Sequence, residues 1–179
     1  MPHDAAIFID GGYLQKVLEN EFGYAKLDFA KLVREMHGDD FLIRAYYYNC
    51  MPLQGESAEE RLRYDNARRF YAALNKIPHF EVRFGRLVER NGELTQKRVD
   101  ILFAIDLVLL ALKKRISTAY ILTGDSDFVP AIQVAKNEGV VVHLFHGKKR
   151  SVHDDILQAV DDRTEIGGSF IEKVRFVGR

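Results

Sequence analysis

The chain has 179 residues, 47% of them hydrophobic and 29% charged, and its 26 basic and 26 acidic residues balance to a net charge of zero. This composition excludes long disordered tracts and a strongly basic coat for nucleic acid, although it leaves room for a local basic groove. The single cysteine, Cys50, favours a reducing compartment. Because no leader is recognisable and the longest apolar stretch, 101–112, contains Asp106, we expect a cytoplasmic chain with no membrane segment.

Short apolar or aromatic runs alternate with longer segments of helical periodicity along the chain. The predicted strands cover 5–10, 41–49, the start of 80–97, 119–122, 140–145 and 170–174. The predicted helices cover 13–21, 28–36, 56–77, 98–113, 128–137 and 152–160. Asp28 is placed as an N-cap, and the helix 98–113 is apolar on nearly every side, which predicts that it is deeply buried.

Strands separated by helices of these lengths predict βαβ units with right-handed crossovers. The expected fold is therefore α/β, a mostly parallel sheet with helices on both faces, formed by one domain over 1–179. Asn91-Gly92 predicts a hairpin insertion near 86–97. Two roles remain open for this hairpin, a contact in a homodimer or a flap over a substrate.

Four aspartates come from three separated segments that this fold brings to one edge of the sheet. Asp10 ends the first strand, Asp100 opens the apolar helix, and Asp125 and Asp127 follow the strand 119–122. Sites in open parallel sheets form at the carboxyl ends of strands, where the strand order reverses. Four carboxylates cannot all stay ionised in one cleft without a cation, and oxygen ligands favour Mg²⁺ or Mn²⁺ over zinc. Such an ion can activate water for phosphoryl displacement.

Each acid also has a structural explanation. Asp10 could start a turn, Asp127 could cap the following helix, and Asp100 could complement a helix dipole, whereas capping does not need the second acid, Asp125. Asp106 lies about 240° from Asp100 around the helix axis. It cannot share a face with Asp100, so we expect it to pair with a buried cation or a backbone group, or to hold a water that contacts the metal ligands.

Three stretches carry a more specific signal: "FIDGGYL" at 8–14, "KRVDILFAIDLVLLAL" at 97–112 and "LTGDSDFVPAI" at 122–132. They resemble the signature blocks of the NYN domain in its LabA-like (DUF88) branch, over about residues 5–145. That family has a PIN-like, Rossmann-related fold, and its members are regarded as metal-dependent ribonucleases. The chain departs from the family at Tyr13, where many members carry Asn, and at Arg98, where many carry Gly.

The resemblance implies hydrolysis of single-stranded RNA at an Mg²⁺ or Mn²⁺ site, with Asp10, Asp100, Asp125 and Asp127 as metal ligands and catalytic residues. One alternative is a haloacid-dehalogenase-like, Mg²⁺-dependent phosphatase, which needs an acid where this chain has Gly12. Another is a non-catalytic RNA-binding or assembly module on the same fold. Intact acids weigh against that module, because carboxylates that repel each other would be lost first.

Other residues near the expected mouth are candidates for RNA contact. A base could stack on Tyr13, and a hydroxyl could orient a water or a ligand or simply close a turn. The basic residues could bind the RNA backbone or form a solvated loop. The candidates are Tyr13, Lys97, Arg98, Thr123, Ser126, Lys148 and Lys149.

Overall fold

The computed structural model describes residues 4–90, 93–97, 99–148 and 151–178, with the backbone alone described for 86–90 and 93–97. The strands in these ranges are β1 (Asp4–Asp10), β2 (Phe41–Asn49), β3 (Phe80–Phe84), β4 (Arg86–Arg90), β5 (Glu93–Lys97), β6 (Thr118–Leu122), β7 (Val141–His146) and β8 (Asp162–Glu165). The helices are α1 (Gly11–Phe22), α2 (Phe29–His37), α3 (Ala58–Leu74), α4 (Val99–Leu112), α5 (Val129–Asn137), α6 (Asp154–Ala159) and α7 (Gly168–Val174). A short 3₁₀ turn, Ser126–Phe128, precedes α5.

Six strands form one parallel sheet in the order β3-β2-β1-β6-β7-β8, which confirms the predicted α/β fold. The chain moves outward from β1 to β3 on one side, returns to β6, and moves outward again to β8. The strand order therefore reverses between β1 and β6, and this reversal leaves a crevice at their carboxyl ends. Ile9 of β1 lies beside Leu122 of β6, so Asp10 and Thr123 follow at neighbouring positions on that edge.

Helices cover both faces of the sheet because alternate strand residues point to opposite sides. Ala6 and Phe8 of β1 pack in a cluster with residues of α4, α5 and α6. Ile7 and Ile9 pack in a second cluster with residues of α1, α2, α3 and α7. The result is the expected three-layer arrangement, with the crevice at one edge of the central layer.

Several local predictions are confirmed, and one is wrong. β2 covers 41–49 as predicted, and Asp28 caps α2 by accepting from the backbone N–H groups of Ala30 at 3.0 Å and Lys31 at 3.1 Å. The predicted strand 170–174 lies instead within α7, and the closing strand is β8. The reason is visible in the spacing, since Ile171 and Val174 are three residues apart and bury together on one helix face.

The prediction that the apolar helix is deeply buried is also wrong. One face of α4 is buried, including Phe103 and Leu107, each with no exposed surface. The other face is open, with Ile101 60% and Ile105 48% exposed. α4 belongs to an outer layer, so the sheet covers only one side of it. High hydropathy alone does not report how many neighbours a helix has.

The predicted hairpin is present as the antiparallel pair β4 and β5, which forms a small sheet of its own. Its expected turn, Asn91-Gly92, lies outside the described residues. Across the ranges that the structure describes, no helix combines the length and the apolar character needed to cross a membrane.

Candidate functional site

A buried threonine connects two of the four aspartates at the crevice. Thr123 follows β6 and has no exposed surface. Its Oγ1 donates to Asp10 Oδ2 at 3.2 Å and accepts from the backbone N–H of Asp125 at 3.3 Å. The side chain at the end of β1 and the loop after β6 are thus held together across the point where the strand order reverses.

Two of the aspartates also act as caps. Asp10 precedes α1, and its Oδ1 accepts from the backbone N–H of Tyr13 at 3.0 Å. Asp125 precedes the 3₁₀ turn, and its Oδ1 accepts from the backbone N–H of Asp127 at 2.9 Å. The suggestion that Asp127 caps the following helix is therefore wrong: Asp125 is the cap, and α5 begins after Phe128 without a side-chain cap.

The charges of the four aspartates act on one another. Burial raises the pKa of Asp10, and the negative charges of Asp100 and Asp125 raise it further, against the hydrogen bonds from Tyr13 and Thr123 that lower it. Partial desolvation raises the pKa of Asp100, followed by the charges of Asp125 and Asp127. The neighbouring negative charges therefore make ionisation of Asp10 and Asp100 more costly.

A cavity of about 750 Å³ opens at this edge of the sheet, and its lining includes Asp10, Asp100 and Asp125. Asp127 is exposed and outside this lining, although its charge reaches Asp100. The structure thus brings three of the predicted acids to one cavity and places the fourth beside them. Gly124 lets the loop after β6 lie close to Tyr13 and Ser151, since a Cβ at this position would collide with the ring of Tyr13 and the backbone oxygen of Ser151.

The donor set fits a hard divalent cation in chemistry and charge. It consists of carboxylate and hydroxyl oxygens, and burial together with the charges of neighbouring carboxylates raises the pKa values of Asp10 and Asp100, an effect that a cation would offset. Within the described ranges, no group of three or more His, Cys, Asp or Glu side chains is already arranged to hold a metal ion. Asp10, Asp100 and Asp125 line the cavity and could hold such an ion, and the charge of Asp127 acts on Asp100.

The predicted RNA-contacting residues have different surroundings. Tyr13 lines the cavity, but its hydroxyl is engaged, since it accepts from the backbone N–H of Gly147 at 3.0 Å and lies 3.3 Å from Ser151 Oγ. Ser126 also lines the cavity. Lys148 is exposed and does not line it.

Three further candidates fall where the structure gives no side-chain description. Lys97 ends β5, for which the backbone alone is described, and Arg98 and Lys149 lie outside the described residues. Their contacts with RNA remain predictions from the sequence.

Asp106 pairs with a cation, Arg83, which is the first of the roles expected for it. Its Oδ2 accepts from the hydroxyl of Tyr48 at 2.9 Å and lies 3.7 Å from Arg83 Nε. It is not among the residues that line the acidic cavity. This carboxylate connects α4 to the ends of β2 and β3.

Sequence reasoning missed several residues that line the cavity. α1 contributes Lys16, Asn20 and Glu21, and the segment after β7 contributes Ser151 and His153. The available signal was the four-residue spacing of Gly12, Lys16 and Asn20, which places them on one face of the helix that Asp10 begins.

Comparison with known proteins adds a family and a fold. The family model described as NYN domain matches residues 4–167. Protein y4oD of Sinorhizobium fredii, described as uncharacterized, is 38% identical over 103 residues, which are 56% of this chain and 47% of y4oD. The match thus spans about half of that relative's length. A protein of unknown function from Vibrio parahaemolyticus, VPA0982, has a crystal structure similar at a TM-score of 0.74, covering 98% of this chain and 97% of that one at 14% identity. This likeness shows the fold alone.

Proposed function

This chain belongs to the NYN domain family, and from that premise we propose that it is a metal-dependent ribonuclease acting on phosphodiester bonds of single-stranded RNA. NYN domains have a PIN-like fold and are in general nucleases that use divalent metals. The identity of the substrate, the metal and the residues responsible is our inference from the site.

One observation carries the proposal: three carboxylates from three separate elements share a single cavity at the point where the strand order reverses. A fold without a ligand here gains little from this arrangement, because burial and repulsion both raise the pKa of Asp10. Negative charge held against its own repulsion is characteristic of a site that binds a cation.

Each residue has a part that follows from its contacts. Asp10, Asp100 and Asp125 would hold Mg²⁺ or Mn²⁺, and Asp127 would add charge beside Asp100. When bound, the cation would supply activation of a water and stabilisation of negative charge on the phosphodiester. Thr123 fixes the Asp10 carboxylate through its hydroxyl, so the ligand orientation is set before the metal arrives.

The hydrolysis itself is a simple exchange of bonds. The oxygen of a water forms a bond to phosphorus and the water gives up one proton. The bond from phosphorus to the departing ribose oxygen breaks, and that oxygen gains one proton. Tyr13 and Ser126 line the cavity where the substrate would lie. Lys97, Arg98, Lys148 and Lys149 are proposed to contact the backbone from the rim.

The test is an Asp125→Asn variant assayed on a labelled single-stranded RNA with Mn²⁺. Asparagine keeps the oxygen that caps the 3₁₀ turn, so the change removes charge while preserving the local fold. We expect cleavage to fall by about 100-fold or more, the equivalent of about 3 kcal/mol in the barrier. Asp65→Asn, an exposed acid on α3, is the matched control and should cleave normally.

Three results would refute this proposal. Unchanged metal-dependent cleavage by Asp125→Asn would show that the acidic cavity is not the site. Release of inorganic phosphate from monoesters without strand cleavage would favour the phosphatase alternative. RNA binding without cleavage, by the unmodified chain with Mg²⁺ or Mn²⁺, would favour a non-catalytic module.

A further inference from the structure

The acidic cavity extends away from the aspartates along one face of α1, and we propose that this extension, the α1 groove, binds the RNA backbone beside the cleaved bond, with Lys16 contacting a phosphate. The inference rests on the proposed ribonuclease function and adds to it the path of the strand. It assigns binding roles to Lys16 and Asn20, which lie outside the three stretches 8–14, 97–112 and 122–132 that carry the family resemblance.

The dimensions of the groove follow from helix geometry. Gly12, Lys16 and Asn20 all line the cavity and are four residues apart, so they form one row on the helix surface. At a rise of about 1.5 Å per residue, this row is about 12 Å long. At the rise of about 3.4 Å per nucleotide of a stacked duplex strand, this row would match about three nucleotides, and it matches fewer of a more extended single strand. The groove is therefore long enough for a short stretch of one strand.

The wall opposite α1 is fixed in place by hydrogen bonds back to the helix. Both carboxylate oxygens of Glu21 accept from the backbone N–H of Lys148, at 3.1 and 3.0 Å. The hydroxyl of Tyr13 accepts from the backbone N–H of Gly147. The segment after β7 is thus tied to α1 at two levels, so the groove is formed before a strand binds, which reduces the ordering cost of binding.

The charges in the groove favour a phosphate at Lys16. Lys16 is exposed, and within the described ranges the structure gives its ammonium group no hydrogen bond or ion pair. The two other charged side chains close to it along α1 have partners: Glu19 accepts from the hydroxyl of Tyr24, and Glu21 accepts from the backbone N–H of Lys148. A cation that lines a groove and is not paired with a carboxylate is available for a phosphate oxygen.

Two further side chains of the lining can donate hydrogen bonds to RNA. Asn20 carries an amide that can donate to a phosphate or a ribose hydroxyl. His153 Nδ1 accepts from the backbone N–H of Asp155 at 3.3 Å, so in the neutral ring the proton is on Nε2, which is a donor. Backbone contacts of this kind are independent of base sequence, so the groove predicts binding with little sequence preference.

The test measures binding separately from cleavage by using the Asp125→Asn variant as the parent. Fluorescence anisotropy with a labelled single-stranded oligoribonucleotide in Mg²⁺, over a series of salt concentrations, gives the affinity and its salt slope. We expect Lys16→Gln to bind about 10-fold more weakly and to lower the slope by about 0.7, the value for one lost phosphate contact on a single strand. Lys31→Gln, an exposed lysine on α2, is the matched control and should leave both unchanged.

A second variant supports the assignment through charge. Asn20→Asp adds a negative charge to the same row and should weaken binding, whereas Asn20→Ala should have a smaller effect. If Lys16→Gln and Asn20→Asp bind as the parent does, the α1 groove is not the path of the strand. The ribonuclease proposal would survive that result, since its test compares RNA cleavage by the unmodified chain and by Asp125→Asn. Failure of the parent to bind RNA at all would also overturn the groove.

Discussion

Removing one buried hydroxyl should disturb both halves of the acidic site. Thr123→Val keeps the shape of the side chain but deletes the donor to Asp10 Oδ2 and the acceptor for the backbone N–H of Asp125. At about 1 kcal/mol for each hydrogen bond, the free energy of unfolding should fall by about 2 kcal/mol. For a chain of this size that loss lowers the melting temperature by about 4–8 °C.

The same substitution should also weaken metal binding. Thr123 donates to a carboxylate that we place among the metal ligands, and loss of such a partner costs about 10–100-fold in metal affinity. Isothermal titration with Mn²⁺ measures the affinity, and thermal unfolding in EDTA measures the stability. Thr123→Ser is the matched control, because it keeps the hydroxyl and loses only a methyl group, at about 1 kcal/mol.

The two variants separate orientation of the site from packing. If the hydroxyl orients Asp10, Thr123→Ser should keep an Mn²⁺ affinity close to that of the unmodified chain, and Thr123→Val should lose it. Equal losses in both variants would mean that the methyl contact matters and the hydroxyl does not. Equal retention in both would show that Asp10 does not depend on Thr123 to present its carboxylate.

Three further changes probe other parts of the account. Because the pKa of Asp100 is raised, this carboxyl stabilises the fold fully below its ordinary pKa of 3.8 and loses that contribution as pH rises through the raised value. In EDTA, the melting temperature of Asp100→Asn relative to the unmodified chain should therefore rise from acidic towards neutral pH. A relative melting temperature that falls over this range would contradict the prediction. Gly124→Ala should cost about 1–3 kcal/mol and most of the RNA cleavage, because the added Cβ collides with Tyr13; wild-type melting and cleavage would refute the steric reasoning. Asp106→Asn should lower stability by about 2 kcal/mol, since it loses charge beside Arg83, yet leave Mn²⁺ affinity unchanged in titration; a weaker Mn²⁺ affinity would instead connect it to the metal.

The sheet could be predicted because its strands are short, apolar and separated by helices with clear periodicity. Local signals such as the Asp28 cap and the β2 run define single elements and do not depend on distant contacts. The errors arise where the outcome depends on neighbours. Whether α4 is covered on one side or all sides depends on which helices pack around it, and the short apolar run at 170–174 fits either a strand or a helix until its partner is known.

The acidic residues of the candidate site could be predicted for the same topological reason. Residues at the carboxyl ends of β1 and β6 must meet if the sheet is parallel and its order reverses there, and Asp10 and Asp125 do. The groove could not be predicted in this way. Lys16 and Asn20 resemble ordinary solvent-facing positions of a helix, and only the packing of the β7–α6 segment against α1 turns that face into a wall.

The most direct test of the central claim is a crystal soaked with Mn²⁺ and measured at a wavelength where manganese scatters anomalously. The proposed site predicts an anomalous peak in the cavity at the end of β1, about 2 Å from carboxylate oxygens of Asp10, Asp100 and Asp125. The absence of a peak between these residues, at a concentration of Mn²⁺ that supports RNA cleavage in solution, would contradict the claim that these carboxylates form the metal site.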